Sequence, residues 1–458
     1  MIIFKPGDFL LKPKITLYNN IARSGKCKGR LLAELEIYPS PRLTWDFETL
    51  GRASCEPNNI GGLFGYLKEP FIGNYFRIDM PYITSKSWGS ITNQPRGHFS
   101  GIALQAVIGN PKFVGQSFSF CIPNAKFQEE NLVGQGTITE NLKAKLGSDE
   151  WEIGQSSNGR FISVPIDDYW QIYLETRQDA LIWLKREHLN IGTFVTTFGH
   201  LSRQKKSAKG RPKRRQMILL DEAIHRLGSF SLLLSFANGG YTGPLYVEGF
   251  RKDRKRQFSG KFLIYRITPL ELLGASWITL ESDLTGFLNC FSTFERMGNL
   301  PYWKDEFDLI LSWYFQAVQP QSTQMGKPLP VVANAIGAAL ERLCVIILVD
   351  EFGIRGLRGF PQRLNRLLEQ IGLTQNRGYN DKNFVQTFLN IRNEATHPTV
   401  PVNLTFDQKA QYLERAIQWV EETLLWRLGY NGKYRDRTKP HYASTEPRYD
   451  LTARDPSW

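Results

Sequence analysis

The sequence predicts an α+β multidomain protein in which a β-rich N-terminal domain precedes an all-α helical bundle. Three observations support this prediction. The chain has 458 residues, which is longer than one typical domain. Its first part carries alternating apolar and polar residues with frequent Gly and Pro, as short strands and turns require. Near residue 280 the apolar residues begin to repeat at helical spacing instead.

These patterns divide the chain into three parts. We place the β-rich domain at 1–275, the helical bundle at 280–428 and a tail at 429–458. The tail has little apolar content and mixed charge, so we expect it to be mobile.

Period-two alternation identifies the first strands. Ala33, Leu35 and Ile37 alternate with acidic residues, and Leu43, Trp45 and Phe47 alternate with polar ones. Such alternation is typical of strands with one buried face. Further β-rich runs lie at 161–166, 169–174, 193–198 and 262–267, and one helix is expected around 221–234.

Six helices are predicted in the bundle. The first starts at Ser282 or Asp283 and ends at Gly298, and the second spans 303–318. The third, from Pro330 through Val349, is apolar on nearly every side, so we expect it at the centre of the bundle rather than in a membrane. The last three are expected at 364–371, 381–397 and 405–428.

Composition excludes several classes of protein. Hydrophobic content of 41% and aromatic content of 13% exclude global disorder. Five scattered cysteines without a CxxC pair argue against a disulfide scaffold and a zinc cluster. The N-terminus lacks a signal-peptide layout, so a reducing cytoplasm fits best. The motifs GxSxG, GKS/GKT and HExxH are absent from the sequence.

Positive charge is concentrated in two segments. Net charge is +13, and residues 203–215 hold eight Lys/Arg without an acid, while 251–256 add five bases and one acid. Concentrated positive charge favours a polyanion partner. A mobile loop at 203–215 would hold an RNA backbone, sense another ligand, or form a solvated insertion. Its candidate nucleic-acid contacts are Lys205, Lys206, Lys209, Arg211, Lys213, Arg214 and Arg215.

The helix at 381–397 carries an arginine on its apolar side. Arg392 lies near the middle of an arc formed by Phe384, Val385, Phe388, Leu389 and Ile391. Burying an arginine is unfavourable unless it is paired, lies in a cleft or meets a partner subunit. Purely structural roles would also account for these residues. Arg392 would form an ion pair with Glu341 or Glu394, and His397 would cap the helix.

Proline at position 398 disfavours helix at the preceding residue, so the helix should stop near His397. On an unbroken helix Arg392 and His397 would point about 140° apart. They converge only if the helix ends before His397, or if each faces a groove shared with a second copy.

The run Arg392-Asn393-Glu394-Ala395-Thr396-His397 resembles the motif that the HEPN superfamily carries late in its helical bundle. The resemblance covers about 280–428. Many HEPN domains are metal-independent endoribonucleases that work as dimers. The domain order also resembles the ApeA-type layout of bacterial anti-phage abortive infection. A second match, Arg435 to His441, lies in the polar tail, and we assign it no role.

This resemblance implies a ribonuclease site without metal or cofactor. Arg392 would meet charge on the phosphate, His397 would transfer protons, and Asn393 would orient the histidine or the substrate. Glu341 would support Arg392, unless it pairs with Arg342 or lies at the bundle edge. Implied partners are RNA, a second copy of the chain and a phage-derived trigger protein, with no membrane.

Two other classes of function stay open. The first is a non-catalytic HEPN-like module that dimerises and holds RNA or a protein partner. The second is a basic DNA-binding regulator, which is disfavoured because the sequence has no clear helix-turn-helix.

Overall fold

The chain divides into two compact units. In this computed structural model the first unit is Met1–Lys126, Gly134–Ser231 and Tyr241–Glu271, and the second is Phe127–Val133, Leu232–Gly240 and Leu272–Trp458. The structure describes residues 14–24, 27–36, 42–49, 62–66, 75–79, 82–91, 94–103, 105–109, 112–123, 125, 143–146, 149–152, 161–165, 170–176, 195–203, 217–251, 257–263, 267–268, 276–279, 281–319, 329–373, 383–397, 401–438 and 453–458.

The first unit is built on a 14-stranded sheet in which every neighbouring pair is antiparallel. Its strand order is β13-β14-β15-β10-β17-β18-β8-β5-β4-β1-β2-β3-β7-β6. The strands of the unit are β1 Lys14–Ser24, β2 Cys27–Glu36, β3 Arg42–Thr49, β4 Gly62–Tyr66, β5 Tyr75–Asp79, β6 Tyr82–Ile91, β7 Gln94–Ala103, β8 Gln105–Gly109, β9 Val114–Gly115, β10 Ser117–Pro123, β11 Lys143–Leu146, β12 Asp149–Glu152, β13 Phe161–Pro165, β14 Trp170–Thr176, β15 Val195–Arg203, β16 Ile218–Leu219, β17 Tyr246–Arg251 and β18 Gln257–Leu263.

Strands β2 and β3 follow the predicted alternation. Ala33 pairs with Trp45 and Leu35 with Leu43, and all four side chains are buried. Because side chains alternate between the two faces of a strand, these pairs place the apolar residues in one core. Ile37, which was included in the predicted pattern, lies outside the described residues.

The other predicted strands differ in their bounds. The runs at 161–166 and 169–174 correspond to β13 and β14, and the run at 193–198 is the first part of β15. The run at 262–267 overlaps β18 at 262–263, residues 264–266 lie outside the described part of the chain, and 267–268 are in no strand. The predicted helix is longer than expected and forms α1, Leu220–Asn238.

The second unit contains a helical bundle. Its helices are α2 Leu284–Asn289, α3 Phe291–Gly298, α4 Glu306–Val318, α5 Leu329–Cys344, α6 Gly359–Gln370, α7 Phe384–Thr396 and α8 Phe406–Leu428. Helix α5 packs against α4, α6, α7 and α8, as its apolar surface predicts, and continues as a π-helical segment, Val345–Glu351. By length and composition Leu329–Glu351 resembles a membrane span, but 67% of its most apolar window is buried inside the protein. Such burial is typical of the core helix of a soluble protein.

The single helix predicted from Ser282 or Asp283 to Gly298 is two helices. Asp283 caps α2, since its Oδ1 accepts a hydrogen bond from the Gly286 N–H at 2.8 Å. At Cys290 the backbone N–H donates to the Phe287 carbonyl at 3.0 Å, a tightened turn that interrupts the α-helical ladder. Both segments still bury their aromatic residues, so the apolar period alone did not reveal the break.

The prediction of a mobile tail is wrong for 430–438. Tyr434 is fully buried, and its strand β19, Tyr434–Arg435, pairs with β20, Ala453–Arg454. Arg437 is only 3% exposed and binds Glu421 of α8 at 2.7 Å. The positive charge of Arg437 in the tail is therefore neutralised by the buried Glu421 carboxylate on α8. Residues 439–452 lie outside the described part of the chain.

One buried carboxyl makes stability depend on pH. Burial raises the pKa of Glu422 from its ordinary value of 4.5 to about 7. The Tyr434 hydroxyl and the Gln418 amide donate to Glu422 Oε1 at 2.6 and 3.0 Å. Within the described residues Glu422 Oε2 has no hydrogen-bond partner. A raised carboxyl pKa means that the folded protein holds its proton more tightly than the unfolded chain does.

We therefore expect stability to fall as pH rises from the unfolded pKa through the folded one. The predicted loss from Glu422 is roughly 3 kcal/mol between about pH 4.5 and pH 8. Glu422→Gln should remove this loss, as measured by urea unfolding of the full chain across that range. Glu369→Gln, at an exposed carboxyl paired with Arg366, is the control. An identical pH dependence in wild type and Glu422→Gln would contradict this assignment.

Candidate functional site

Helix α7 ends where the sequence predicts. It spans Phe384–Thr396, and His397 follows as its C-terminal cap with φ −132° and ψ 81°. The His397 N–H donates to the Asn393 carbonyl at 2.6 Å, while the side chains of both residues are exposed. The following Pro398 explains the departure from helical geometry. The first condition for Arg392 and His397 to converge is therefore met.

A glycine on α5 makes room for Arg392. A Cβ at Gly337 would lie 2.5 Å from both Cδ and Nε of Arg392. The arginine stem therefore crosses α5 at a residue without a side chain. Its guanidinium Cζ lies 5.3 Å from the centroid of the Phe360 ring, within cation–π range. Packing on two helices thus fixes a side chain that is still 26% exposed.

Glu341 is the acidic partner of Arg392. The Arg392 Nη2 donates to Glu341 Oε2 at 3.1 Å. Glu341 is four residues after Gly337 on α5, so the two share one helix face. In the described part of the chain, the other N–H groups of Arg392 donate to no acceptor. The guanidinium is therefore oriented but keeps donors for an external anion.

The alternative partners considered from sequence are engaged elsewhere. Arg342 binds Glu306 of α4 through its Nε at 2.7 Å, so it does not compete for Glu341. Glu394 binds Lys409 of α8 at 2.7 Å, and this hydrogen bond lowers the pKa of the Glu394 carboxyl. The Glu394–Lys409 pair joins the last turn of α7 to the first turn of α8.

This arrangement has the groups that phosphate chemistry needs. A fixed guanidinium can grip phosphate oxygens in a fork, and an exposed imidazole can exchange protons. Within the described residues, no hydrogen bond or ion pair joins Arg392 to His397. Arg392 is 26% exposed and His397 is exposed, so solvent can reach both side chains.

Other predicted site features fall elsewhere. The seven bases from Lys205 to Arg215 lie outside the described residues, as do 252–256. Among the residues that the structure describes, there is no group of three or more His, Cys, Asp or Glu that could hold a metal ion.

Sequence reasoning missed two residues that shape the site, Gly337 and Phe360. A glycine inside an otherwise apolar helix is a recognised sign of close approach by another group. That signal pointed to Gly337 but not to its partner. Phe360 gave no signal, because its contact with Arg392 depends on how α6 packs beside α7.

Part of the chain is similar to a known protein family. Residues 300–448 match the family model described as YopA C-terminal domain. No curated protein and no solved structure matches the chain significantly. The family match begins between α3 and α4 and extends past α8 into the tail. The similarity to that family therefore covers α4 to α8 and part of the tail.

Proposed function

We propose that this protein is a metal-independent endoribonuclease of HEPN type that acts in bacterial anti-phage abortive infection. The observation that carries the proposal is the pair of open functional groups on α7. Arg392 is held by Glu341 and Phe360 with donors to spare, and His397 is exposed at the helix end. The β-rich unit would sense a phage-derived trigger or restrain activity.

The proposed reaction uses the RNA's own 2′-hydroxyl. This oxygen attacks the adjacent phosphorus, and the bond to the 5′-oxygen of the next nucleotide breaks. The products are a 2′,3′-cyclic phosphate and a 5′-hydroxyl. His397 would transfer protons, Arg392 would stabilise charge on the phosphorane, and Asn393 would orient His397 or the substrate. DNA lacks the 2′-hydroxyl and would not be cut.

We further propose that two copies of the chain form the working site. Arg392 is 26% exposed on a face that otherwise buries its apolar residues, and His397 lies at the end of the same helix. A homodimer that forms through α7 would bring Arg392 and His397 of both copies into one groove. Sedimentation should show a dimer in the active fraction, and an active monomer would contradict this part of the proposal.

We also propose that the protein is cytoplasmic. The seven bases from Lys205 to Arg215 are proposed to contact the RNA backbone. Neutralising them should flatten the salt dependence of RNA binding.

The decisive assay is RNA cleavage in excess EDTA. A ribonuclease of this type should cut RNA under these conditions and leave a matched DNA strand intact. The alternative, a HEPN-like module that binds without cutting, predicts RNA retention with no cleavage, with or without a trigger such as phage lysate. Cleavage that requires added Mg²⁺ would contradict the metal-independent mechanism.

Gly337→Ala tests whether the position of Arg392 matters. The new methyl group would occupy the space of Arg392 Cδ and Nε, so this flexible side chain must move. We expect about a 10²-fold loss of cleavage, because displacing a catalytic group by about 1 Å has an effect of that size. Stability should change by no more than about 1 kcal/mol.

Gly298→Ala is the matched control, because a Cβ at Gly298, the last residue of α3, would meet nothing within 4 Å. Rates of cleavage and thermal unfolding of both variants give the comparison. Full activity in Gly337→Ala would show that the placement of Arg392 is not needed.

A further inference from the structure

The segment between the π-helical turn and α6 repeats a three-residue unit. Residues 353–355 read Gly-Ile-Arg, 356–358 read Gly-Leu-Arg, and Gly359 begins α6. All three glycines have positive φ, at 64°, 87° and 79°. Glycine adopts this left-handed conformation without the strain that other residues carry there. The two units therefore share a glycine turn followed by an aliphatic residue and an arginine.

Each unit buries its aliphatic residue in part and exposes its arginine. Ile354 and Leu357 are half-buried, whereas Arg355 and Arg358 are exposed. The Ile354 N–H donates to the Leu348 carbonyl at 2.8 Å, and the Arg358 N–H donates to Gln362 Oε1 at 2.8 Å. The backbone of the segment is thus anchored at both ends while the two guanidinium groups face solvent.

The charge of this segment is not neutralised locally. Residues 353–358 hold two arginines and no acid, whereas Arg366, further along α6, is paired with Glu369. Arg355 and Arg358 form no ion pair with any residue that the structure describes. By contrast, Arg427 in the same unit binds Glu351 at 2.7 Å. Two exposed and unpaired guanidinium groups on an anchored backbone are suited to an external anion.

The segment leads directly to the candidate site. Phe360, whose ring packs against the Arg392 guanidinium, is two residues after Arg358. Two trans peptide steps limit the separation of the Arg358 and Phe360 Cα atoms to about 7 Å. The backbone of Arg358 therefore lies near that of Phe360, and Arg355 lies one unit earlier in the chain.

We propose that residues 353–358 form a phosphate-binding element that holds single-stranded RNA as it approaches Arg392. Arg355 and Arg358 would each contact a backbone phosphate flanking the one that reacts. The inference deepens the proposed function and rests on it for the identity of the polyanion. It also separates binding from chemistry, since neither arginine takes part in proton transfer or bond cleavage.

The test measures RNA binding in a background that cannot cut. Full-length His397→Ala protein is titrated with a fluorescein-labelled single-stranded RNA oligonucleotide at several salt concentrations, with and without Arg355→Gln/Arg358→Gln. Loss of two phosphate contacts should reduce the slope of log Kd against log salt by about 1.4. The ratio of the two Kd values should therefore fall about sevenfold between 50 and 200 mM salt.

Arg296→Gln/Lys304→Gln is the matched control, because it removes the same charge from exposed positions on α3 and in the connection that follows it. An unchanged slope in Arg355→Gln/Arg358→Gln would overturn the inference, as would an equal reduction in the control. Preferential binding of a polyglutamate peptide over RNA would also overturn it, in favour of an acidic protein partner.

Cleavage by otherwise wild-type protein is measured in parallel. If wild type cuts RNA and the slope is unchanged, the proposal of a phosphate-binding element is wrong and the proposal of a nuclease is supported. If the slope falls but wild type never cuts RNA, the proposal of a phosphate-binding element is supported and the proposal of a nuclease is wrong.

Discussion

Replacing His397 with alanine is expected to lower RNA cleavage by about 10²–10⁴-fold, the usual contribution of a positioned proton-transfer group. The protein should remain folded, because the exposed His397 side chain buries no apolar surface. Its backbone N–H, which bonds to Asn393, is retained in alanine. Cleavage rates in EDTA and RNA affinity should be measured together, and affinity should change little.

Arg392→Ala should produce a comparable loss, about 10²–10³-fold, by removing a charge-stabilising donor. Arg392→Lys should restore little of it, because an ammonium group lacks the guanidinium fork. Arg366→Ala, at an exposed arginine paired with Glu369, is the control for arginine loss in the same bundle. Activity within a few fold of wild type in either His397→Ala or Arg392→Ala would remove that residue from the mechanism.

Replacing Arg437 with alanine is expected to destabilise the helical unit by about 3–5 kcal/mol. Arg437 is 3% exposed and binds Glu421, which is fully buried, and Glu414 at 2.9 Å. Its removal leaves the Glu421 carboxylate buried without its cation. Hydrogen exchange of α8 amides in the full chain, combined with urea unfolding, would measure the loss.

Two further variants serve as comparisons for the stability loss in Arg437→Ala. Arg366→Ala breaks an exposed ion pair and should change stability by less than about 1 kcal/mol. Adding Glu421→Gln to Arg437→Ala should recover part of the loss, because the orphaned charge disappears. A loss in Arg437→Ala no larger than that in Arg366→Ala would show that this buried pair does not hold the tail on α8.

Helix ends with a local chemical cause were predictable from sequence. Pro398 ends α7, Gly429 in left-handed conformation ends α8, and Thr405 with Gln408 forms a capping box at its start. Each of these signals acts within a few residues. The core strands β2 and β3 were predictable for a similar reason, because their alternation directly reports which face is buried.

Features that depend on distant partners were not predictable. The sheet places β4 beside β1 and β17 beside β10, pairings that no local pattern encodes. Burial of the tail was not predictable, because a charged residue such as Arg437 usually indicates solvent exposure. Its partner Glu421 lies on α8, and the sequence gives no sign that the two meet.

The candidate site was predictable in part. Arg392 on the apolar side of α7 indicated a paired or partly open guanidinium, and the structure supplies Glu341 as its partner. Sequence left open whether Glu341 would bind Arg342 instead, because contacts between side chains of different helices depend on how the helices pack. Packing decides the question, since Arg342 faces Glu306 on α4.

The chemistry of the RNA ends tests the central claim most directly. RNA cut by the wild-type protein in EDTA should carry 2′,3′-cyclic phosphates and 5′-hydroxyls, and a single 2′-deoxy nucleotide at the cut site should block cleavage there. Both results follow from attack by the 2′-hydroxyl at a phosphate held by Arg392. Fragments with 5′-phosphates, or cleavage that continues at the 2′-deoxy position, would contradict the account.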